Sequence, residues 1–226
     1  MIAADFKLNI GTIEQTTFNI ASRVESDTSL FDIALTALDL ELINKKKMFV
    51  LFDDFGELTL KSIDNMKVNL LIDEETGGNF DYSTSIDDQT YNVIKYAYGS
   101  EEDSGTKVVF APKIVFENGK QVLSETQKQW GLLQCFFKED GVVLNEAQAQ
   151  AKADALLSFY NAKTRKLKIT KAFGDVRVRA GCMVVVKLAL GDINVQNYML
   201  VEKCVHTFNA DEHWMDLTLR GGEFIG

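Results

Sequence analysis

A nucleophilic or metal centre in this chain would have to be built from three cysteines, Cys135, Cys182 and Cys204, and two histidines, His206 and His213. Three of these five cluster near the end. Cys204 and His206 are two residues apart and share a face if they lie on a strand, and His213 opens the following strand across a short turn. Thiolate sulfur and imidazole nitrogen are what zinc prefers, but a structural zinc takes four protein ligands and a catalytic one three plus water. A further ligand of the usual type is missing here. A Ser or Cys nucleophile needs an adjacent base oriented by a third group, and neither histidine lies in a Gly-x-Ser-x-Gly or Cys–His context. The expectation is a structural or surface role for both histidines, with no catalytic residue, no cofactor and no metal ligand.

The carboxylates Asp73, Glu74, Asp81, Asp87 and Asp88 fall in one polar stretch, 73–90. Calcium loops of the EF-hand type alternate acids around a glycine at position six and close on a glutamate; that spacing is absent, Gly77-Gly78 breaks any element, and a solvated loop is expected. Two carboxylates flanking a sugar could hydrolyse a glycosidic bond, yet with 33 acids the sequence cannot single out a pair. Neither Gly-x-Gly-x-x-Gly nor a P-loop occurs, so nucleotide binding has no support. Gly221-Gly222 reads as a flexible chain end, and Lys45-Lys46-Lys47 as a solvated helix end. Trp130 and Trp214 could line a glycan-binding surface, although indoles more often pack.

Net charge is −9 and unevenly spread: residues 1–143 carry 24 acids and 13 bases, residues 144–226 carry 9 and 11. Gripping nucleic acid takes clustered Lys and Arg, so that class is disfavoured. An odd cysteine count without a Cys-x-x-Cys pair suggests reduced thiols in a cytoplasmic protein. No basic-then-apolar signal opens the chain, and no run of about 18 apolar residues could span a membrane.

These side chains need elements to position them. Ile2 to Leu8 resemble the last turns of a helix, which suggests that Met1 was added at an artificial boundary with more protein upstream. FNIASRV (18–24) suits an extended segment. Asp27-Thr28-Ser29 offers N-caps for a helix over about 29–44, with Leu30, Ile33, Ala34, Ala37 and Leu38 on one stripe. A hairpin follows over about 48–62, turning at Asp53-Asp54-Phe55-Gly56, where Gly56 supplies a positive φ. YNVIKYAYG (91–99) and KVVFA (107–111) read as strands around a polar loop at 100–105, and 114–123 as a hairpin on Asn118-Gly119. The apolar run 130–137 has no periodicity that fixes its class. Asn145 with Gln148 forms a capping box for a helix over about 146–162, with Ala149, Ala153, Leu156, Leu157 and Tyr160 on one face. The remainder alternates as β: 166–170, 175–180, 182–190, 193–208 and 214–220, with turns at Gly191-Asp192 and Asn209-Ala210-Asp211. Short loops between long strands imply antiparallel neighbours closing toward a barrel or sandwich. The expected class is α+β: a small α+β domain over 1–86, then an antiparallel β-barrel or sandwich with a flanking helix over 87–226.

Six stretches in this order resemble the XkdQ/YqbQ-like family of phage and prophage tail baseplate hub proteins, related to the late-control gene D proteins of contractile tails. They are DTSLFDIALTALDLELINKKKMFVLFDDFGELTL (27–60), YNVIKYAYG (91–99), WGLLQ (130–134), the helix bearing Ala153, Leu156 and Leu157, FGDVRVRAGCMVVV (173–186) and YMLVEKCVHTFNADEHWMDLTL (198–219). The last, with Val-Glu-Lys, His-Thr-Phe and a His before Met-Asp-Leu-Thr-Leu, is the most specific. The motifs are structural, not catalytic.

The resemblance implies a non-enzymatic hub subunit in a phage tail, a prophage or a tail-like bacteriocin. It would self-associate as a trimer and join the sixfold tail tube to the threefold central spike. Residues 87–226 would form one tube-type barrel domain, and an N-terminal domain of about one hundred residues, an ordinary domain size, would be missing. The fragment alone is expected to be monomeric or weakly associated. The protein would sit in the virion or particle, assembled in the bacterial cytoplasm, and DNA would pass its channel without specific binding, repelled by acidic walls. The alternatives are a tail-associated cell-wall hydrolase and a glycan-binding tail-tip module.

Overall fold

The computed structural model describes residues 2–20, 24, 26–87, 89–99, 105–140, 145–190 and 193–221. Met1, most of the segment 20–25, Asp88, most of the loop 100–105, the turn Gly191-Asp192 and Gly222 lie outside the described residues.

The chain divides into two compact units, Met1–Thr84 with Arg165–Gly226, and Ser85–Thr164. This differs from the sequence-based division at 86/87. Residues after 164 return to the first unit, because strands from the N-terminal segment complete their sheet.

In the first unit a short helix α1 (Ile2–Asp5) precedes strand β1 (Ile10–Ile13) and helix α2 (Leu30–Lys45). Ser29 caps α2 by accepting from the Asp32 N–H, and Lys46 closes it in the left-handed conformation. Strands β2 (Phe49–Asp54) and β3 (Glu57–Ser62) form the expected hairpin, with β1 added in parallel beside β3. The stripe of α2 is only half-buried; the fully buried side chain of this helix is Glu41, at 1% exposure.

The unit's main sheet has six strands in the order β4-β12-β13-β14-β11-β5, where β4 is Lys67–Ile72, β5 Asn79–Ser85, β11 Thr164–Phe173, β12 Met183–Leu190, β13 Ile193–Asn209 and β14 Glu212–Gly221. Strands β12, β13, β14 and β11 run antiparallel, as short connections require, whereas β4 lies parallel to β12. Leu167, Leu219 and Val201 stand in register across β11, β14 and β13, all fully buried. Ile72 from one edge and Phe80 and Tyr82 from the other pack into that same core, so the sheet is curled over it.

Two sequence expectations change here. Residues 79–85 form β5 within the expected acidic loop, because Phe80 and Tyr82 alternate inward between exposed Asn79, Asp81 and Ser83. Residues 175–180 form no strand: the Val178 N–H bonds the Asp175 carbonyl, and the Asp175 carboxylate takes the Arg177 N–H, which makes a turn. Val178 is buried there and Val176 is 77% exposed.

The second unit is a three-stranded sheet in the order β10-β6-β7 (Gln134–Asp140, Val93–Gly99, Lys107–Ala111). Helix α4 (Glu146–Tyr160) packs on one face through Ala149, Ala153 and Leu156, started by the expected Asn145/Gln148 capping box. A hairpin, β8 (Phe116–Glu117) and β9 (Lys120–Gln121), turns at Asn118-Gly119, both at positive φ. The unclassified apolar run begins at the end of helix α3 (Glu125–Trp130) and continues as β10. Buried Asn92 ties these together: its amide donates to the Gly131 carbonyl at 2.7 Å and accepts from the Leu133 N–H at 2.8 Å.

Candidate functional site

The curled sheet brings Cys204, His206 and His213 together, as their spacing allowed. On β13, Cys204 Sγ lies 3.2 Å from His206 Nε2. Across the β13–β14 turn, His206 Nδ1 lies 2.9 Å from His213 Nε2. His206 Nε2 also lies 2.9 Å from the Val178 carbonyl oxygen. A carbonyl only accepts, so the proton sits on Nε2. Nδ1 is then a lone pair and accepts from His213 Nε2–H. The chain of donors runs His213 to His206 to Val178, and it fastens the 175–180 turn to the sheet.

That tautomer points away from nucleophilic chemistry. A base activating a thiol must face it with a free lone pair, and here Nε2 presents its proton to Val178 and Cys204 alike. Burial, with Cys182 nearby, pushes the Cys204 thiol up to about 11; Cys182 is raised too, chiefly by burial. The Cys204 thiolate should therefore be roughly a hundredfold scarcer at pH 8 than that of an ordinary thiol. Iodoacetamide labelling followed by mass spectrometry should find Cys204 slower by at least that factor than a free thiol; equal rates would contradict the assignment.

Gly174 sets the position of His213. Its N–H bonds the His213 carbonyl at 2.8 Å, and a Cβ at this position would collide with the imidazole ring. Phe208 stacks on the His213 ring, 4.1 Å between centroids. Gly174→Ala should displace the ring, break the His213–His206 bond and destabilise the protein by about 2 kcal/mol. Chemical denaturation gives the energy and imidazole nitrogen spectra the lost bond.

The remaining candidates are dispersed. Asp73 closes its own turn, accepting from the Thr76 hydroxyl and the backbone of Thr76 and Glu75; these bonds hold its carboxyl below the usual range. Glu74 accepts from the Ala189 N–H, Asp81 is exposed on β5, and the Asp87 N–H bonds Ser85. Among the described residues, no three of His, Cys, Asp and Glu stand where they could hold a metal ion. Trp214 stacks on Phe173 at 5.3 Å and donates to Glu212; Trp130 is half-buried under Lys163. The lysine run 45–47 is exposed at the end of α2. In a cleft of about 200 Å³ beside Cys182, Arg177 is paired with Asp175 and Arg179 with Asp54, so most of its positive charge is already met. Among the described residues no helix is long and apolar enough to cross a membrane.

Sequence reasoning passed over two features. Glu41 is buried where α2 meets residues 17–18, and Phe55 stands wholly exposed at the β2–β3 turn. The second had a visible signal, a large aromatic where hairpin turns favour Asn or Gly; the first had none.

The comparisons with known proteins bear on the whole chain. The YQBQ-like family model matches residues 1–220. The chain belongs to the YQBQ-like family. It is 28% identical over 221 residues to the phage-like element PBSX protein XkdQ of Bacillus subtilis, and 24% identical to the uncharacterised protein YqbQ of the same organism. Each alignment covers 96% of this YQBQ-like chain but 62% of the relative, so the chain spans under two thirds of their length. Among solved structures, a tail protein from Neisseria meningitidis MC58 superposes with a TM-score of 0.58 at 13% identity, covering 99% of this chain and 65% of that one. The 43 kDa tail protein of prophage MuSo2 from Shewanella oneidensis gives 0.55 at 10% identity, covering 96% and 62%. The fold of this YQBQ-like chain is thus one that tail proteins use.

Proposed function

We propose that this YQBQ-like chain is a structural, non-enzymatic component of a phage-type or prophage tail, and more specifically a baseplate hub subunit joining the tail tube to the central spike. The observation that carries the reading is the family match across residues 1–220, together with 28% identity to a protein of a phage-like element. The fold supports it, since a curled sheet is a rigid scaffold. The Cys204–His206–His213 group supports it as well, because its donor chain ends in a backbone carbonyl and serves packing.

As a hub the protein would act as a trimer, with threefold symmetry meeting the spike and a repeated tube-type domain meeting the sixfold tube. Ring contacts of this kind are heterologous: one surface meets a different surface on the neighbour. The chain would reside in the particle, with DNA passing without sequence-specific contacts.

Solution mass tests the hub reading. The product of the whole gene, mixed with its spike and tube proteins, should give by light scattering a complex of three copies with one spike. A product that binds neither protein would overturn the assignment.

A further inference from the structure

His206 and His213 share a hydrogen bond that only some protonation states allow. His206 Nδ1 lies 2.9 Å from His213 Nε2, with the ring centroids 5.1 Å apart. Because His206 Nε2–H is given to the Val178 carbonyl, Nδ1 must accept and His213 Nε2 must donate. One added proton leaves this bond intact, since it goes to His213 Nδ1, on the far side of that ring. A second goes to His206 Nδ1 and sets two N–H groups against each other with no acceptor between them.

The bond ties three pieces of chain together. His206 sits on β13 and His213 on β14, and both hold residues 174–178. The Gly174 N–H bonds the His213 carbonyl, and the Val178 carbonyl takes the His206 ring N–H. Phe208 covers the His213 ring, and Met215 and Ala172 stand in register with His206 across the sheet. Both rings are half-buried, so water screens a second charge only in part.

The neighbouring groups do not neutralise two imidazolium rings. On the turn, Asp175 acts on His213 through space, but its carboxylate is bound to the Arg177 guanidinium at 2.6 Å. Arg179, further along the turn, is paired with Asp54. The Cys204 thiol on β13 stays protonated, as does buried Cys182 near it. On β14, Glu212 takes the Trp214 indole N–H, and Asp216 takes the Lys171 backbone N–H of β11. Asp211, in the connecting turn, is exposed to water. Two positive rings would therefore meet one nearby carboxylate that already has a cation.

We propose that the His206–His213 pair is an acid-sensitive clasp, closed while it carries at most one added proton and opened when both rings are charged. Opening loosens the β13–β14 hairpin end and the 174–178 turn together. The sign follows from linkage: the closed form binds fewer protons than the loosened one, so protection present at neutral pH is lost on acidification. Imidazoles ordinarily change charge between about pH 5 and 8, which sets the range to search. The clasp stands on this chain's own geometry and does not depend on the hub reading.

Amide hydrogen exchange on the full chain, read by mass spectrometry with each rate divided by its intrinsic value at that pH, tests this. From about pH 7.5 to about pH 5 the parent should lose about tenfold in protection at 174–180 and 205–214, while helix α4 keeps its own. His213→Gln is the control, because its amide can donate to a neutral His206, accept from a charged one, and never itself charges. Its protection at these segments should change by less than about twofold over the same range. Imidazole nitrogen spectra of the parent need no variant. They should show the Nδ1–Nε2 bond at the higher pH and two charged, unbonded rings at the lower. Three results would each overturn the clasp: a parent equally protected at both pH values, a folded His213→Gln that loses as much protection as the parent, or a bond that persists in the spectra at the lower pH.

Discussion

Glu41→Ala should lower the folding free energy by about 3 kcal/mol, the scale of a buried charged group losing several hydrogen bonds at once. The carboxylate accepts from the Phe18 N–H at 2.6 Å, from the Thr17 hydroxyl at 2.8 Å and from the Thr17 N–H at 3.1 Å. Truncation removes all of these acceptors and strips the Thr17 and Phe18 N–H groups of their partner. Glu41→Gln separates charge from shape. Burial alone would push the Glu41 carboxyl up, but the bonds from Phe18 and Thr17, with Lys47 nearby, outweigh it and hold the group below its ordinary value of 4.5. A depressed folded value means the proton binds the unfolded chain first. The stabilisation is therefore complete above the ordinary value and lost as pH falls through the lower folded one. The gap between parent and Glu41→Gln should be full at pH 7 and narrow below about pH 4.5, as read from urea midpoints across that range. A pH-independent gap would show that the charge contributes nothing.

Leu219→Ala should cost about 3 kcal/mol or more, within the range for emptying a tightly packed aliphatic site. Leu219 is fully buried at the centre of the six-stranded sheet, between Leu167 and Val201. Its neighbours lie on strands already fixed by two ladders, so the gap can close only partly. Thermal and urea unfolding measure the loss. A cost below about 1 kcal/mol, the size of a surface effect, would mean that the sheet does not curl around a single core there. Leu71, 44% exposed on β4 of the same sheet, is the matched control, and its alanine variant should be nearly neutral.

What the sequence made legible follows from how local each signal is. Helix α4 was readable because Asn145 and Gln148 cap it within four residues, and both hairpins because their turns carry glycine after an Asx or aromatic residue. Long alternation exposed β12, β13 and β14 for the same reason. Strand β5 was hidden because its acidic surroundings outweighed two inward aromatics, Phe80 and Tyr82. The alternation at 175–180 misled because an Asp-capped turn also places every second residue differently. Helix α3 had a capping box, Ser124 with Gln127, in the stretch between the 114–123 hairpin and the apolar run from Trp130, which the sequence reading left without an element. The division into units was not readable, since β4 and β5 pair with strands of the far C-terminal part of the chain, β12 and β11. The same holds for Glu41, whose partners lie 23 and 24 residues upstream.

For the candidate site, the grouping of Cys204, His206 and His213 was visible from spacing, but its meaning was not. Val178, which fixes the tautomer, comes from a turn 28 residues away, and that contact turns a Cys–His pair into a packing device. The exposed Phe55 needed no distant partner to be noticed, only attention to what its turn prefers.

The most direct measurement is the copy number of this chain in purified, salt-washed tail particles, counted by quantitative mass spectrometry against the tube protein. A baseplate hub subunit should be present in every preparation at a fixed three copies per particle. Complete particles that lack the chain, or that carry it in amounts varying from one preparation to the next, would contradict the account.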